Sequence, residues 1–592
     1  MYRSNSSSKW SASKPTLLAA ALVGSTLGGC YSDKWIADLA AETEGDTGTS
    51  GDCDAGDLQC SEQGVLRCVD GSWAPDRSNI GCDFVAATLP MEDVDGVQVV
   101  LGLANAGLRP ANVELTVGGT SVGAIQVMPG AAAQLTLPWN AALGDPSSSA
   151  TVVDGGILVT SDEPVAAFMV NRGDAASRTS DAATLLPRHV WGDEYYALTN
   201  PHFVSPLNGD QGSGFWAAVA HDQPVGVMAT GGPAASLAPG GGLDANGSGG
   251  AGLGPGGALV AVTASSGVDA FACGWNPGAN YYGCGRPPVA EPSGSAPLVC
   301  AATPAEGTAC SGTEAFIGCC GDDGAAYYCD AVDAGAWVRE ACPPLSDGSD
   351  LSGSRVRGDK PFAFFAGHSC TNIPAYEPYC DHLEEQLWPS NKAGRRFPVV
   401  APSFDGVPKS YLLRILALEG PVQLGFMPPL AGAPSSIATT GEYVDIWVAA
   451  DVVSTADFVV EADGAIMVMQ MSLGDDGGFG DPAMLLTPSF EQGMTHMPFF
   501  VPGGFNSASV TLVGPPGTTV EVDGSPITLM APLTANEAYV RAALQPSPNG
   551  YHQVRSPVPV VASVFARNAS PDPNTTLWYP AGVADPSGPP PN

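Results

Sequence analysis

The chain has 592 residues, 44% hydrophobic and 14% charged, with 60 Asp and Glu against 23 Lys and Arg for a formal net charge of −37. That length allows several domains, and the hydrophobic content excludes an intrinsically disordered chain. The acidic balance argues against nucleic acid or an anionic membrane surface as a partner, because phosphates would be repelled.

Residues 1–29 read as an export signal. Arg3, Lys9 and Lys14 form a positive stretch, and Leu17 to Leu27 form an apolar one too short for a permanent membrane span. It ends in Leu27-Gly28-Gly29-Cys30, which resembles a bacterial lipobox. The resemblance implies that Cys30 is lipidated and becomes the first residue of the mature chain; a plain signal peptide cut elsewhere is the alternative. Tyr31, in place of Asp, resembles sorting to the outer membrane. The expected location is therefore exported, lipid-anchored in the outer membrane and at the cell surface, with the membrane met only through the anchor. Residues 30–52 are small, polar and acidic, as in a tether.

Of the 15 cysteines, 14 remain once Cys30 is set aside, an even number that reads as disulfides in an exported chain. Cys53, Cys60, Cys68 and Cys82 make a compact module over 53–83, with Gly71 and Trp73 between the last two. A second cluster comprises Cys300, Cys310, Cys319, Cys320, Cys329 and Cys342. Its end repeats the first layout: seven residues separate Cys60 from Cys68, eight separate Cys320 from Cys329, and Trp73 and Trp337 follow. Modules this small need staples. Zinc is the weaker reading, because the clusters lack His and the compartment is oxidising. Sequence alone does not fix the full pairing.

The remainder is β. Val97–Leu101, Val113–Val117, Ala124–Val127 and Gln134–Leu137 are short apolar runs split by Gly or Pro, and no long stretch keeps a helical period. A pattern recurs, in which an acidic or turn residue precedes a strand, often through Pro, and an apolar pair with Pro closes the segment. It appears as Asp162-Glu163-Pro164-Val165 with Leu185-Leu186-Pro187, and as Asp359-Lys360-Pro361-Phe362 with Leu387-Trp388-Pro389. Looser copies are Asp463-Gly464-Ala465-Ile466 with Leu485 to Pro488, and Ser556-Pro557-Val558-Pro559 with Trp578-Tyr579-Pro580. Pro ahead of a strand suggests an edge or first-strand position.

The pattern divides the chain into β units at 84–189, 190–389 with a Cys-rich insertion at 300–342, 390–488 and 489–582, before a Pro-rich tail at 583–592. The later units have the size of one sandwich. The expected fold is all-β: tandem antiparallel β-sandwich-like domains with small disulfide-rich modules. A β-propeller is the alternative, although its blades recur at closer spacing.

Several motifs have a chemical and a structural reading. Gly119-Thr120-Ser121-Val122-Gly123 matches G-x-S-x-G but lies between two strand-like runs, so it reads as a hairpin turn. Gly247 to Gly252 matches G-x-G-x-x-G without the preceding strand a phosphate cradle needs, and reads as a flexible loop. Arg357-Gly358-Asp359 enters a buried strand, where an integrin-type tripeptide would be hidden. His368, Cys370, Cys380 and His382 are a zinc-type set, but a Cys370–Cys380 disulfide is the better expectation outside the cytoplasm, and Cys273 and Cys284 have similar spacing. Asp381, His382, Glu384 and Glu385 end the loop between those cysteines. They read as structural caps first, and as the candidate ligand-binding loop second. Asp475, Asp476 and Asp481 lie in a Gly/Asp-rich segment like many Ca²⁺ loops, without the EF-hand order. No other metal or cofactor is expected.

The stretch 353–389, GSRVRGDKPFAFFAGHSCTNIPAYEPYCDHLEEQLWP, closely resembles the core motif of the IgGFc-binding protein N-terminal domain family. Thr518 to Gly524 and Leu577 to Gly582 look like that family's terminal β unit, and Asp481-Pro482-Ala483-Met484 resembles its Asp-Pro step. The resemblance spans about 84–582; the Cys-rich stretches at 53–82 and 300–342 depart from it. It implies non-catalytic binding or adhesion to a protein or glycan ligand at a cell surface. It does not carry Fc binding to this chain, and it names no catalytic residue. The alternatives are an extracellular hydrolase and a passive surface-layer component. With no HExxH motif and only seven His in the chain, no enzyme is expected.

Overall fold

A computed structural model describes most of residues 53–586. Outside the described residues lie 1–52, most of 265–348, 587–592, shorter segments at 93–96, 173–179, 205–210, 374–379, 449–455, 475–480 and 569–574, and a few single positions.

The first unit is a 7-stranded assembly. Its opening strand is Ile80–Ala87, followed by Gln98–Asn105, Ala111–Val117, Thr120–Val127 and Ala131–Thr136, then a long strand Gly156–Arg172 and a closing strand Ser180–Thr184. The long strand has 17 residues, about three times an ordinary strand, and it serves two layers. Its first half pairs with the opening strand and with Val113–Thr116; its second half pairs with Gln98–Ala104 and the closing strand.

The same plan recurs around Arg355–Thr371 and Tyr551–Arg567, each also 17 residues long. In the third unit the long strand is cut in two, Phe458–Ala462 and Ile466–Ser472, which again pair into separate sheets. The result is a series of antiparallel two-layer sandwiches, as expected for tandem sandwich-like units, and not a propeller.

The bend falls on the recurring acidic motif. In the first unit the register breaks between Thr160 and Val165, over Ser161-Asp162-Glu163-Pro164. Pro164 has no N–H to give to a ladder, so pairing changes partners there. The Asp of the first three corners meets a need the break creates. Asp162 Oδ1 accepts the Asn112 N–H at 2.6 Å, Asp359 Oδ1 that of Gly226 at 2.8 Å, and Asp463 Oδ1 that of Gln423 at 2.7 Å. Each donor is the second residue of the neighbouring strand. The corner prolines thus lie inside a continuous strand, correcting the expectation that they precede one. Arg357-Gly358-Asp359 is part of this corner, and Arg357 Nε also pairs with Glu194 at 2.9 Å.

Register also corrects the reading of the closing prolines. Phe168, Phe365, Met469 and Ser563 stand equally far past their corners and face Thr184, Gln386, Leu486 and Pro580. The counterparts of Pro187 and Pro389 are therefore Ser489 and Val583; Pro488 stands one position before its counterpart, and Pro580 three positions before, inside the closing strand. The crossing at this point is close. A Cβ on Gly81 would lie 2.1 Å from Pro187 Cβ, and one on Gly192 2.4 Å from Pro389 Cβ.

Burial separates the two layers. The third strands alternate, as in Val225–Thr230 and Val422–Met427, because one face meets water. The second strands, Gly214–Val219 and Tyr411–Ala417, are buried at every residue. Their outer faces are covered by neighbouring units. One core cluster joins Phe84, Leu101 and Met169 of the first unit to Trp216, Phe362 and Phe364 of the second. Another joins Phe168 and Val170 to Phe499, Val564 and Tyr579 of the fourth. The Phe168 and Tyr579 rings meet edge to face at 5.7 Å, and each such buried side chain contributes roughly 1.5–3 kcal/mol. The units are welded into one body.

The first Cys-rich module is the three-stranded sheet Leu58–Ser61, Gly64–Val69 and Ser72–Pro75, held by Cys53–Cys68 and Cys60–Cys82 disulfides. The insertion contains a second such sheet, Cys319–Cys320, Ala326–Asp330 and Ala336–Glu340. Gly118 and Gly119, at φ +55° and +75°, turn the hairpin that carries the G-x-S-x-G match. The expected flexible loop at 247–252 is instead largely strand, with Gly249–Leu253 paired to Val225–Ala229.

Candidate functional site

The four closing strands Ser180–Thr184, Asp381–Gln386, Met484–Leu486 and Thr576–Gly582 pack against one another in a closed circle. They meet side-on, without a shared ladder, so some backbone N–H groups at the junctions need acceptors from side chains. The acidic run provides them. Asp381 Oδ1 accepts the Ser180 N–H at 2.8 Å, Glu385 Oε1 that of Leu486 at 2.9 Å, and Gln386 Oε1 that of Leu186 at 2.7 Å. In the other direction, Asp181 Oδ2 accepts the Glu384 N–H at 3.1 Å and its Oδ1 that of Ala182 at 2.9 Å. Ser180 Oγ donates to the Thr576 carbonyl at 3.2 Å, and Thr184 Oγ1 donates to that of Pro580.

The placement of Asp381, His382, Glu384 and Glu385 corrects the expectation of a ligand-binding loop. All lie in a strand, and none is more than 1% exposed. His382 Nε2 lies 3.3 Å from Glu384 Oε2, and its ring stacks on Phe215. Burial pushes the Asp181 and Glu385 carboxyls well above the usual range, with neighbouring Glu384 adding to both and backbone N–H donors opposing.

The zinc-type set does not assemble either. Cys370 and Cys380 are disulfide-bonded, with Cα atoms 5.2 Å apart. His368 is fully buried, accepts the Cys370 N–H on Nδ1 at 3.2 Å and faces the Pro201 carbonyl with Nε2 at 3.0 Å. Burial, opposed in part by that carbonyl and reinforced by nearby His202, leaves its imidazole lowered to about 3. A neutral ring with both nitrogens engaged is a packing element. Among the described residues, no group of three or more His, Cys, Asp or Glu is arranged to hold a metal ion. Asp481, at the end of the Gly/Asp-rich segment and just ahead of the closing strand Met484–Leu486, is buried. Asp475, Asp476, Cys273, Cys284 and Cys30 lie outside the described residues.

Two buried charges escaped the sequence reading. Asp181 sits in the bland run Ser180 to Pro187, with no neighbouring acid to draw notice. Arg414, inside the apolar strand Tyr411–Ala417, is 1% exposed and ties the third unit to the second. Its guanidinium donates to Asp350 Oδ2 and the Thr199 carbonyl at 2.7 Å, to Ser352 Oγ at 2.9 Å, and to both Asp445 oxygens at 2.7 Å. It also lies 4.1 Å from the Tyr443 ring centroid. A lone Arg amid Leu and Ile was the available signal, because a buried charge must be paired.

No curated protein matches the chain. Among solved structures, it is similar to an anti-sigma factor domain-containing protein at 11% identity over 30% of this chain and 80% of that one, with a TM-score of 0.11. It is also similar to a "Biofilm associated protein - BSP domain" at 9% identity over 92% of this chain and all of that one, with a TM-score of 0.13. Neither likeness is close enough to carry an argument. The family model described as IgGFc binding protein matches residues 339–566. That interval runs from the last strand of the second Cys-rich module through the third unit into the long strand of the fourth, narrower than the resemblance at 84–582. Over residues 339–566 the chain is therefore similar to the IgGFc-binding protein family.

Proposed function

We propose that this is an exported, lipid-anchored surface protein that binds a protein or glycan ligand and catalyses no reaction. The family match over 339–566 carries the reading. The packing supports it: the acids that could suggest chemistry are engaged in joining units, and the buried histidines in packing within the second unit. What remains is a rigid ring of sandwiches, a scaffold suited to presenting connections at the sandwich ends to a partner.

Purified chain lacking residues 1–29 should bind saturably to a subset of an array of glycans and extracellular proteins that includes IgG Fc. Binding to nothing on the array, together with hydrolysis of a polymeric substrate, would replace this reading with the hydrolase. Repeating the assay with a Ca²⁺ chelator tests the segment holding Asp475, Asp476 and Asp481. Cys30→Ser should move the protein from the membrane fraction to the soluble one; unchanged fractionation rules out the lipid anchor.

A further inference from the structure

Asn246-Gly247-Ser248 matches the acceptor tripeptide for N-linked glycans, Asn-x-Ser/Thr with x other than Pro, which belongs on an exposed turn of an exported chain. Asp244, two positions ahead, supplies the acid that extends the tripeptide in the bacterial form of this acceptor. The tripeptide also stands at Asn5, Asn568 and Asn574. Asn5 falls in the expected export signal, with Arg3 two positions ahead. Asn568 is half-buried, with Ala566 two positions ahead. The hydroxyl of the Asn574 tripeptide belongs to Thr576, which is fully buried.

The turn at 244–248 is built to face water. It leads into the strand Gly249–Leu253. Gly247 is its buried anchor, at φ +81°, and a Cβ there would lie 2.9 Å from Leu237 Cδ1 and 3.1 Å from Gly231 Cα. With Gly247 packed inward, Asp244, Ala245 and Asn246 are exposed. The Asp244 N–H donates to the Ser248 carbonyl at 2.9 Å and the Gly247 N–H to the Asp244 carbonyl at 3.0 Å, both within the turn. The Leu237 N–H, donating to the Ala245 carbonyl at 2.9 Å, ties the turn to the neighbouring segment.

Side chains inside the turn leave three groups free. Asp244 Oδ1 accepts the N–H groups of Asn246 at 3.2 Å and Ser248 at 2.9 Å, and Asn246 Oδ1 accepts the Ser248 N–H at 3.2 Å. Among the described residues, Asn246 Nδ2, Ser248 Oγ and Asp244 Oδ2 have no hydrogen-bond partner. These are the groups a glycan transferase must reach: the nitrogen that receives the sugar, the hydroxyl that identifies the tripeptide, and the preceding acid.

We propose that Asn246 is an N-glycosylation site of the folded chain. The donor is an oligosaccharide carried on a polyprenyl diphosphate. Asn246 Nδ2 bonds to the anomeric carbon of the first sugar, and the bond from that carbon to the diphosphate oxygen breaks. The polyprenyl diphosphate departs with the electron pair, and one amide proton goes to solvent. The proposal rests on the exported reading above, since the transfer takes place outside the cytoplasm.

The position gives the glycan a physical role. Gly249–Leu253 is the outermost strand of its sheet, and the strand beside it exposes Met228, 62% accessible, opposite Gly250. A hydrated glycan on the turn ahead of this edge keeps it from pairing with the edge of another chain.

The test uses the full chain in the cells that make it. Fractionation records whether the chain has left the cytoplasm, and glycopeptide mass spectrometry then reads Asn246. The expected result is an exported chain with a saccharide mass on Asn246, lost in Asn246→Gln and Ser248→Ala and kept in Ser248→Thr. An exported chain with bare Asn246, or with sugar on Asn568 or Asn574 alone, overturns the proposal and leaves the surface-binding reading standing. Sugar retained at Asn246 in Ser248→Ala also overturns it, because the tripeptide is then not what is read. A chain held in the cytoplasm overturns both readings.

Discussion

Asp181 of the first unit holds Glu384 of the second: its Oδ2 accepts the Glu384 backbone N–H at 3.1 Å, and both side chains are fully buried. The bond is one of a set that runs both ways between closing strands, and the same carboxylate also accepts N–H groups of Ala182 and Met484. One side chain therefore serves strands of three units.

Removing that acceptor should loosen the ring at its centre. Asp181→Ala would strand buried N–H groups on three strands, at roughly 1–3 kcal/mol for each one left unsatisfied. Asp181→Asn keeps one acceptor oxygen and should cost less. Urea denaturation of both variants checks this; Asp181→Ala unfolding at the wild-type midpoint would show that these bonds do not hold the ring.

The same cluster sets a pH dependence. Burial raises the Asp181 and Glu385 carboxyls well above their ordinary values. A group whose pKa is higher folded than unfolded contributes stability that is complete below the unfolded value and is lost as pH rises through the folded one. Stability should therefore fall on the alkaline side of the normal carboxylate range. Glu385→Gln, which keeps the oxygen that receives the Leu486 N–H, should flatten that fall. Asp350 works in the opposite window. Its burial is outweighed by Arg414 and by Ser352 and Thr199 donors, so its carboxyl is lowered and its contribution disappears only on acidification. Unfolding free energies across both windows decide the matter: an unchanged slope in Glu385→Gln removes Glu385 from the account.

Much of the architecture was legible because its cause is local. Proline and aspartate at the corners are written into the sequence, and the apolar runs announce strands. What a run cannot show is whether Pro begins a strand or bends one, since both leave the flanking residues extended. Nor does it show that Pro488 and Pro580 stand out of register with Pro187. The acidic run 381–386 reads first as structural caps, and Asp381 and Glu385 do accept backbone N–H groups. What the sequence does not show is which ones, or that the run is buried, because the donors Ser180 and Leu486 lie 201 and 101 positions away. The two cysteines beside it are near neighbours, and their bond closes only a local loop.

That loop gives a further prediction. Cys370–Cys380 spans ten residues and fastens the end of the second long strand to the start of its closing strand. Replacing both cysteines with Ser should cost roughly 2–4 kcal/mol, chiefly by freeing the unfolded chain. Because Asp381 follows Cys380 directly, hydrogen exchange at Ser180 should also speed up in the variant. Exchange at Ser180 unchanged from the wild type would mean that the disulfide and the junction are independent.

Arg414 offers the sharpest test of how the units are joined. It is 1% exposed, and through Asp350, Ser352 and Thr199 it fixes the third unit to the second. Arg414→Met would leave Asp350 buried without its counter-charge, at roughly 3–5 kcal/mol. Arg414→Lys should fare little better, because an ammonium cannot make the paired contact with Asp445 while also reaching Asp350. Adding Asp350→Asn to Arg414→Met should recover part of the loss, since it removes the stranded charge and leaves the volume. A double-mutant cycle measures the coupling. Strict additivity of the two single changes would show that the ion pair contributes nothing beyond its separate halves, and that apolar packing alone joins these units.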